Sequence, residues 1–284
     1  MITCNLMGGL GNQIFQIFAT ISYAIKSRNE FKFLGVNTLG GGSSTIRNTY
    51  WRSFFSRLNP FLIESIPQPI HIIRERDFTF NELPVYEMLG RDALIFGYFQ
   101  SYKYFEENYQ LISRLINLEK MKENIKNKVN GFYQNLDLQN CISIHFRIGD
   151  YKPIQHVHPL MTKEYYYRAL KFIKNSYPNY KFTIIYFCED ADLDDVNIII
   201  KYLQEQFIEF DFVFGEKSLE DWEQMLFMSC CHHNIIANSS FSWWAAYFNS
   251  WNDKIVCYPS VWFGPAAPHN TKDLCPNSWY KIQA

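Results

Sequence analysis

"CISIHFRIGDYKP", residues 141–153, decides the fold. Its first half alternates and is apolar enough to be a buried strand. With no spacer it then delivers His145, Arg147, Gly149, Asp150 and Tyr151. On extended backbone His145 and Arg147 point one way, while Ile144, Phe146 and Ile148 take the other face. Gly149 permits a turn. In open α/β sheets ligands bind beyond the carboxyl ends of the strands. A histidine, a guanidinium and a carboxylate at such an end therefore read as a site. The plainer account is an Arg147–Asp150 pair pinning a turn, with His145 a satisfied core histidine.

Outward from this stretch, strands and helices alternate. "KFTIIYF", "FDFVF", "NIIA" and "KIVCYP" read as strands, and between them run helical patterns such as "TKEYYYRALKFIKNSY" and "SFSWWAAYFN". That alternation predicts a parallel sheet covered on both faces. The first half repeats the theme less regularly. "ITCNLM", "FKFLGV", "HIIRE" and "ALIFGYF" are expected strands, "NQIFQIFATISYAIKSRN" and "SYKYFEENYQLISRLIN" expected helices, and residues 37–50 a Gly/Ser-rich loop. The polar helix "EKMKENIKNKVNGFYQNL" marks the boundary. The expectation is two α/β domains, 1–136 and 137–284, facing each other across a cleft.

Composition excludes several classes. Of the 284 residues 48% are apolar and 19% charged, so the chain builds a large core and is not disordered. Net charge is -1 with no basic tract, which argues against a nucleic-acid partner. The start, "MITCNLMGGL", lacks the charged region of a signal peptide. No apolar run reaches the roughly 18 residues of a membrane span. Seven cysteines without a CxxC pair read as reduced thiols, and the expected location is cytoplasmic, with or without peripheral attachment to a membrane. "CCHH" at 230–233 is a poor zinc set, because adjacent residues point apart. Nothing in the sequence specifies an oligomer.

Three more stretches carry chemistry. "GGLGNQ", residues 8–13, is a glycine turn opening a helix, suited to close approach of a phosphate or sugar at Gly9 and Gly11. It is not a dinucleotide fingerprint, since Ile14 stands where a third glycine belongs, and this disfavours a dehydrogenase. Asn12 and Gln13 are amides able to cap the helix or reach a ligand. "ANSSFSWW" ends a strand and opens a helix, placing Asn238, Ser239 and Ser240 at a positive helix end; Trp243 and Trp244 belong to the core. "CEDADLDD", residues 188–195, reads as helix-start acids rather than a metal site, with Glu189 or Asp190 free to meet a purine edge.

Taken together these pieces resemble the α-1,2-fucosyltransferases, glycosyltransferase family 11. The matching stretches are "GGLGNQIFQIFA", "GYFQSYKYFE", "HFRIGDY", "LMTKEYYYRAL", "NSSFSWWAAYFN" and "WFGP", in family order over almost the whole chain. The resemblance implies a GT-B fold of two Rossmann-like domains, GDP-fucose as donor, inversion, and no metal or other cofactor. It implies a C-terminal domain that binds GDP-fucose and an N-terminal domain on the acceptor side. The acceptor would be an oligosaccharide, modified at the 2-hydroxyl of a terminal β-galactoside. Arg147 would hold the β-phosphate, and Asn12 and His145 would sit near phosphate and fucose. Gly9, Gly11, Gln13, Asn238, Ser239, Ser240 and Phe241 would line the donor site, with Asp190 on the guanine. Asp150 is a candidate base or a structural partner. Ile148 replaces the second arginine of the family's HxRRxD motif. A fucosyltransferase of another linkage and a non-catalytic sugar-nucleotide or glycan binder are the rivals.

Overall fold

The computed structural model describes residues 1–40, 45–68, 70–85, 89–134 and 136–284. The chain forms two compact α/β units: residues 1–120 with 269–276, and 121–268 with 277–284. The first holds β1 (Ile2–Cys4), α1 (Leu10–Lys26), β2 (His71–Arg74), β3 (Ala93–Phe96) and α2 (Tyr109–Leu115). At the division runs α3 (Leu118–Phe132). The second unit continues with β4 (Cys141–His145), α4 (Lys163–Ser176), β5 (Thr183–Phe187), α5 (Leu193–Gln206) and β6 (Asp211–Phe214). It ends with α6 (Asp221–Cys230), β7 (His233–Ile235), α7 (Ser240–Phe248), β8 (Val256–Pro259) and β9 (Tyr280–Ile282).

In the second unit the six strands lie in the order β6-β5-β4-β7-β8-β9, all parallel. Counted within the unit this is 3-2-1-4-5-6, the Rossmann order, and it reverses between β4 and β7. Ile142 and Ile144 of β4, with Phe146 and Ile148 just beyond, pack against Tyr165, Tyr166, Val196, Ile200 and Leu203 of α4 and α5. The opposite face is tied by amides. Asn234 Nδ2 donates to Ser143 Oγ (2.7 Å) and Asn249 Nδ2 to Asn234 Oδ1 (2.7 Å). Trp243 and Trp244 are fully buried, as the core reading requires. Of the "CCHH" run, His232 hydrogen-bonds the Gln139 carbonyl and the Asp253 carboxylate, and His233 Nδ1 accepts the Ile255 N–H.

Two lysines finish α7. Buried Lys122 donates to the Phe248 carbonyl at 2.9 Å, and Lys254 donates to the carbonyls of Ala246 and Asn249. Cations on the last carbonyls satisfy orphan acceptors and complement the helix dipole. Burial, with Lys122 beside it, brings the Lys254 ammonium down to about 8. The bonds of Lys122 fasten α3 to the end of α7, and the units divide at 120/121, inside the polar segment 119–136 read as the boundary and short of the expected 136/137.

The first unit is smaller. Its parallel sheet runs β1-β3-β2. The expected strand over 31–36 is split, since Phe31 makes one bridge to Ile2 while Phe33–Leu34 pairs with Leu62–Ile63. Within the expected loop over 37–50, positions 41–44 lie outside the described residues, and Thr38–Leu39 pairs antiparallel with Arg47–Asn48. The expected helix over 101–117 resolves into two 3-10 turns and α2. Residues 269–276 return to this unit through Asp273, which binds Lys103 Nζ (2.5 Å) and the Phe80 N–H (3.1 Å).

Candidate functional site

The reversal of strand order makes a crevice beyond the carboxyl ends of β4 and β7, and the second unit gathers its chemistry there. His145 is the last residue of β4 and 7% exposed. Burial, and secondarily the Arg147 charge, hold its imidazole down to about 3, so it is neutral at ordinary pH. Its Nδ1 is buried without a hydrogen-bond partner among the described residues. Phe241, from the first turn of α7, stands 5.3 Å away ring to ring. Arg147 Nη1 donates to Glu189 Oε1 (2.5 Å) and Nη2 to Asp150 Oδ2 (2.7 Å), and the guanidinium lies 5.2 Å from the centre of the Tyr151 ring. The predicted acid–arginine pair is therefore present, but Asp150 shares the guanidinium with Glu189.

On β7's side, Asn238 is buried. Its Nδ2 donates to the carbonyls of Pro159 (3.0 Å) and Trp262 (3.1 Å), and its carbonyl accepts the Tyr151 hydroxyl (3.2 Å). This joins the Arg147 loop to the "WFGP" stretch. Asn238 Oδ1 is a second buried polar atom without a partner among the described residues. Unsatisfied buried polar atoms call for an explanation, and an absent water or ligand is the usual one. Ser239 takes the N-cap position of α7, yet no side-chain cap bond forms. The helix thus presents its positive end at the crevice. Asp190 lies in the turn after β5, exposed and paired with Lys217 Nζ at 3.2 Å. The strand-tip acid Glu189, read from the sequence with Asp190 as a candidate for a purine edge, is engaged instead by Arg147.

The first unit carries a cluster of its own. Gly8 has φ +76°, and a Cβ there would stand 2.4 Å from Asn12 Nδ2, so the turn needs glycine at Gly8. Gly9 is the extended N-cap of α1, and a Cβ on it would meet nothing within 4 Å. Gln13 is fully buried and donates to the carbonyls of Gly8 (3.0 Å) and Asn48 (2.8 Å). Gln16 clasps both the N–H and the carbonyl of Met7. These amides shape the glycine turn from below. Asn12 Oδ1 accepts from Gln100 Nε2 at 2.8 Å. Sequence reasoning missed Gln100 as a partner, although it lies inside the quoted "GYFQSYKYFE".

Among the described residues, no group of three or more His, Cys, Asp or Glu side chains is arranged to hold a metal ion. Among them, too, no helix is long and apolar enough to cross a membrane.

Comparison with known proteins adds four findings. An alpha-1,2-colitosyltransferase of Escherichia coli is 26% identical over 300 residues, covering 100% of this chain and 99% of its own. A galactoside 2-alpha-L-fucosyltransferase of Caenorhabditis elegans is 24% identical, covering 92% of this chain and 72% of its own. A solved glycosyl transferase family 9 structure from Veillonella parvula superposes with a TM-score of 0.50 at 10% identity, covering 100% of this chain and 86% of that one. That last likeness is one of fold, and it accords with a GT-B-type α/β chain. The family description matching residues 57–282 is glycosyl transferase family 11, and this glycosyltransferase belongs to that family.

Proposed function

We propose that the protein transfers L-fucose from GDP-β-L-fucose, with inversion, to the 2-hydroxyl of a terminal β-galactoside. One observation carries the reading: Arg147, two residues past the end of β4, and the N-terminus of α7, which follows β7, belong to the two strands between which the order reverses, with His145 and Phe241 5.3 Å apart ring to ring. Arg147 then holds the β-phosphate, and the N-terminal turn of α7, with Ser239, Ser240 and Phe241, turns its positive end to that charge. His145 and Asn238 are read as lining the donor site, and Asp190 as meeting the guanine.

In the reaction the C1–O bond to the β-phosphate breaks and its electron pair leaves with GDP. The acceptor oxygen bonds C1 from the opposite face and loses its proton to solvent. Charge grows on the leaving phosphate, and preorganised donors aimed at growing charge are the strongest lever available. With a guanidinium and a helix end in that role, no metal is needed. Asp150, held by Arg147, orients the guanidinium rather than taking the proton.

The name of the Escherichia coli relative supports a second reading, colitosyl transfer. Colitose is fucose without its 3-hydroxyl, so the two readings differ only at that group. The test is incubation with lactose and GDP-fucose, GDP-colitose or UDP-sugars, with and without EDTA, following nucleotide release and product. Transfer from GDP-fucose that survives EDTA is expected. Turnover of only a UDP-sugar overturns the donor, and loss in EDTA restored by Mg²⁺ or Mn²⁺ overturns metal independence. Thermal stabilisation by GDP without transfer to any acceptor favours the binding-protein rival.

A further inference from the structure

We infer that Asp192 is a positioning residue for Arg147; the inference rests on the reading of Arg147 as the diphosphate ligand. Asp192 occupies the N-cap position of α5. An aspartate there ordinarily accepts an N–H of its own helix two or three residues on. Asp192 makes no such bond. Its Oδ2 instead accepts the N–H of Gly149, 43 positions earlier, at 2.8 Å. The carboxylate is 2% exposed, so this is a charge-assisted bond shielded from water. Its other oxygen lies 3.8 Å from Lys152 Nζ, and Lys152 also pairs with Asp195 at 2.5 Å. The turn from Gly149 to Lys152 is thereby stitched to the start of α5 at both its ends.

The turn begins two residues after Arg147 and contains Asp150, which holds Nη2 of the guanidinium. Gly149 itself fits between two acids. A Cβ there would stand 3.2 Å from Glu189 Oε2 and 3.3 Å from Asp192 Oδ2. A helix that forgoes its own cap to hold a distant turn breaks a local rule, and such breaks concentrate at functional sites. Asp194 and Asp195 in the first turn of α5 still complement its dipole.

The test is Asp192→Ser, which can cap α5 locally but is too short to reach Gly149. GDP affinity is measured by calorimetry in the wild-type and Arg147→Ala backgrounds, with circular dichroism to verify the fold. Asp192→Ser should weaken GDP roughly tenfold, the scale of one hydrogen bond to a charged group. In the Arg147→Ala background it should add less than about twofold, since two residues acting through one contact are not additive. Asp192→Asn keeps an acceptor for the Gly149 N–H and should recover most of the affinity. It also stands in if the serine variant does not fold, and a loss as deep as that of Arg147→Ala would then refute the inference. Wild-type affinity in Asp192→Ser, or equal losses in both backgrounds, overturns it while the Arg147 reading stands. A wild type that does not bind GDP overturns both.

Discussion

Replacing Glu189 with glutamine should tighten GDP binding. Arg147 offers its fork to Glu189 at 2.5 Å and Asp150 at 2.7 Å, so a diphosphate must take the guanidinium from two carboxylates. Exposure sets the size of that competition. The Glu189 side chain is 59% exposed and that of Asp150 46%. Ion pairs this open contribute about 0.2–1 kcal/mol each. Glutamine keeps an acceptor for Nη1 and removes the negative charge beside the incoming phosphates. The gain should match the lost pair, a Kd about 1.5- to 5-fold lower at 1.4 kcal/mol per decade. Calorimetric titration with GDP at low ionic strength reads it. The gain should shrink with added salt, because the Debye length is only about 10 Å at 0.1 M. Asp190→Asn is the control. Asp190 pairs with Lys217, not Arg147, and its loss should weaken GDP if it meets the guanine. A Glu189→Gln variant that binds GDP more weakly would refute the argument and make Glu189 the acid on the nucleoside.

Arg147→Lys should lose turnover almost as badly as Arg147→Ala, by about 10²–10³, because it keeps the charge and loses the bidentate fork; near wild-type turnover would remove Arg147 from the mechanism. Stability should fall on acidification from about pH 6.5 toward 3. Burial depresses both His145 and His233 to about 3, so over that window the unfolded chain binds protons the folded chain refuses. The slope is up to about 1.4 kcal/mol per pH unit for each histidine. Denaturation midpoints between pH 7 and 4 should be flatter for His145→Asn than for wild type, and parallel curves would contradict the linkage.

What the sequence made legible was whatever local periodicity controls. The strands of the second unit and the helices between them follow from alternation and apolar runs, and the ends of β4 and β7 carry the residues expected there. The division of the units, at 120/121, falls inside the polar segment 119–136 that the sequence offers as the boundary, at its start rather than its end. The bond from Lys122 to the Phe248 carbonyl, across 126 positions, leaves no signal in the sequence. The edge strand β9 is three residues long and leaves no periodic signal. In the first unit the pattern over 31–36 is a good strand, but its backbone partners are Ile2 and Leu62–Ile63, which lie in different sheets. Among site residues, Asp192 was hidden for a related reason. An aspartate at a helix start has a sufficient local explanation, and only the missing cap bond exposes its second role.

Helix α7 joins these threads. It begins with Ser239 and Ser240, good capping residues, yet Ser239 leaves the N-terminus without a side-chain cap. At the other end, Lys122 and Lys254 serve the last carbonyls. Local stability alone would favour satisfying both ends. A positive end without a side-chain cap, opposite a negative end met by two lysines, suits an anion. The two lysines also keep the helix from sliding toward a ligand's charge, since their bonds fix it to α3 and to the loop before β8. Arg147 is held by the same logic from the opposite side of the reversal, its turn fixed by Asp192 and its fork met by exposed carboxylates that give way at small cost.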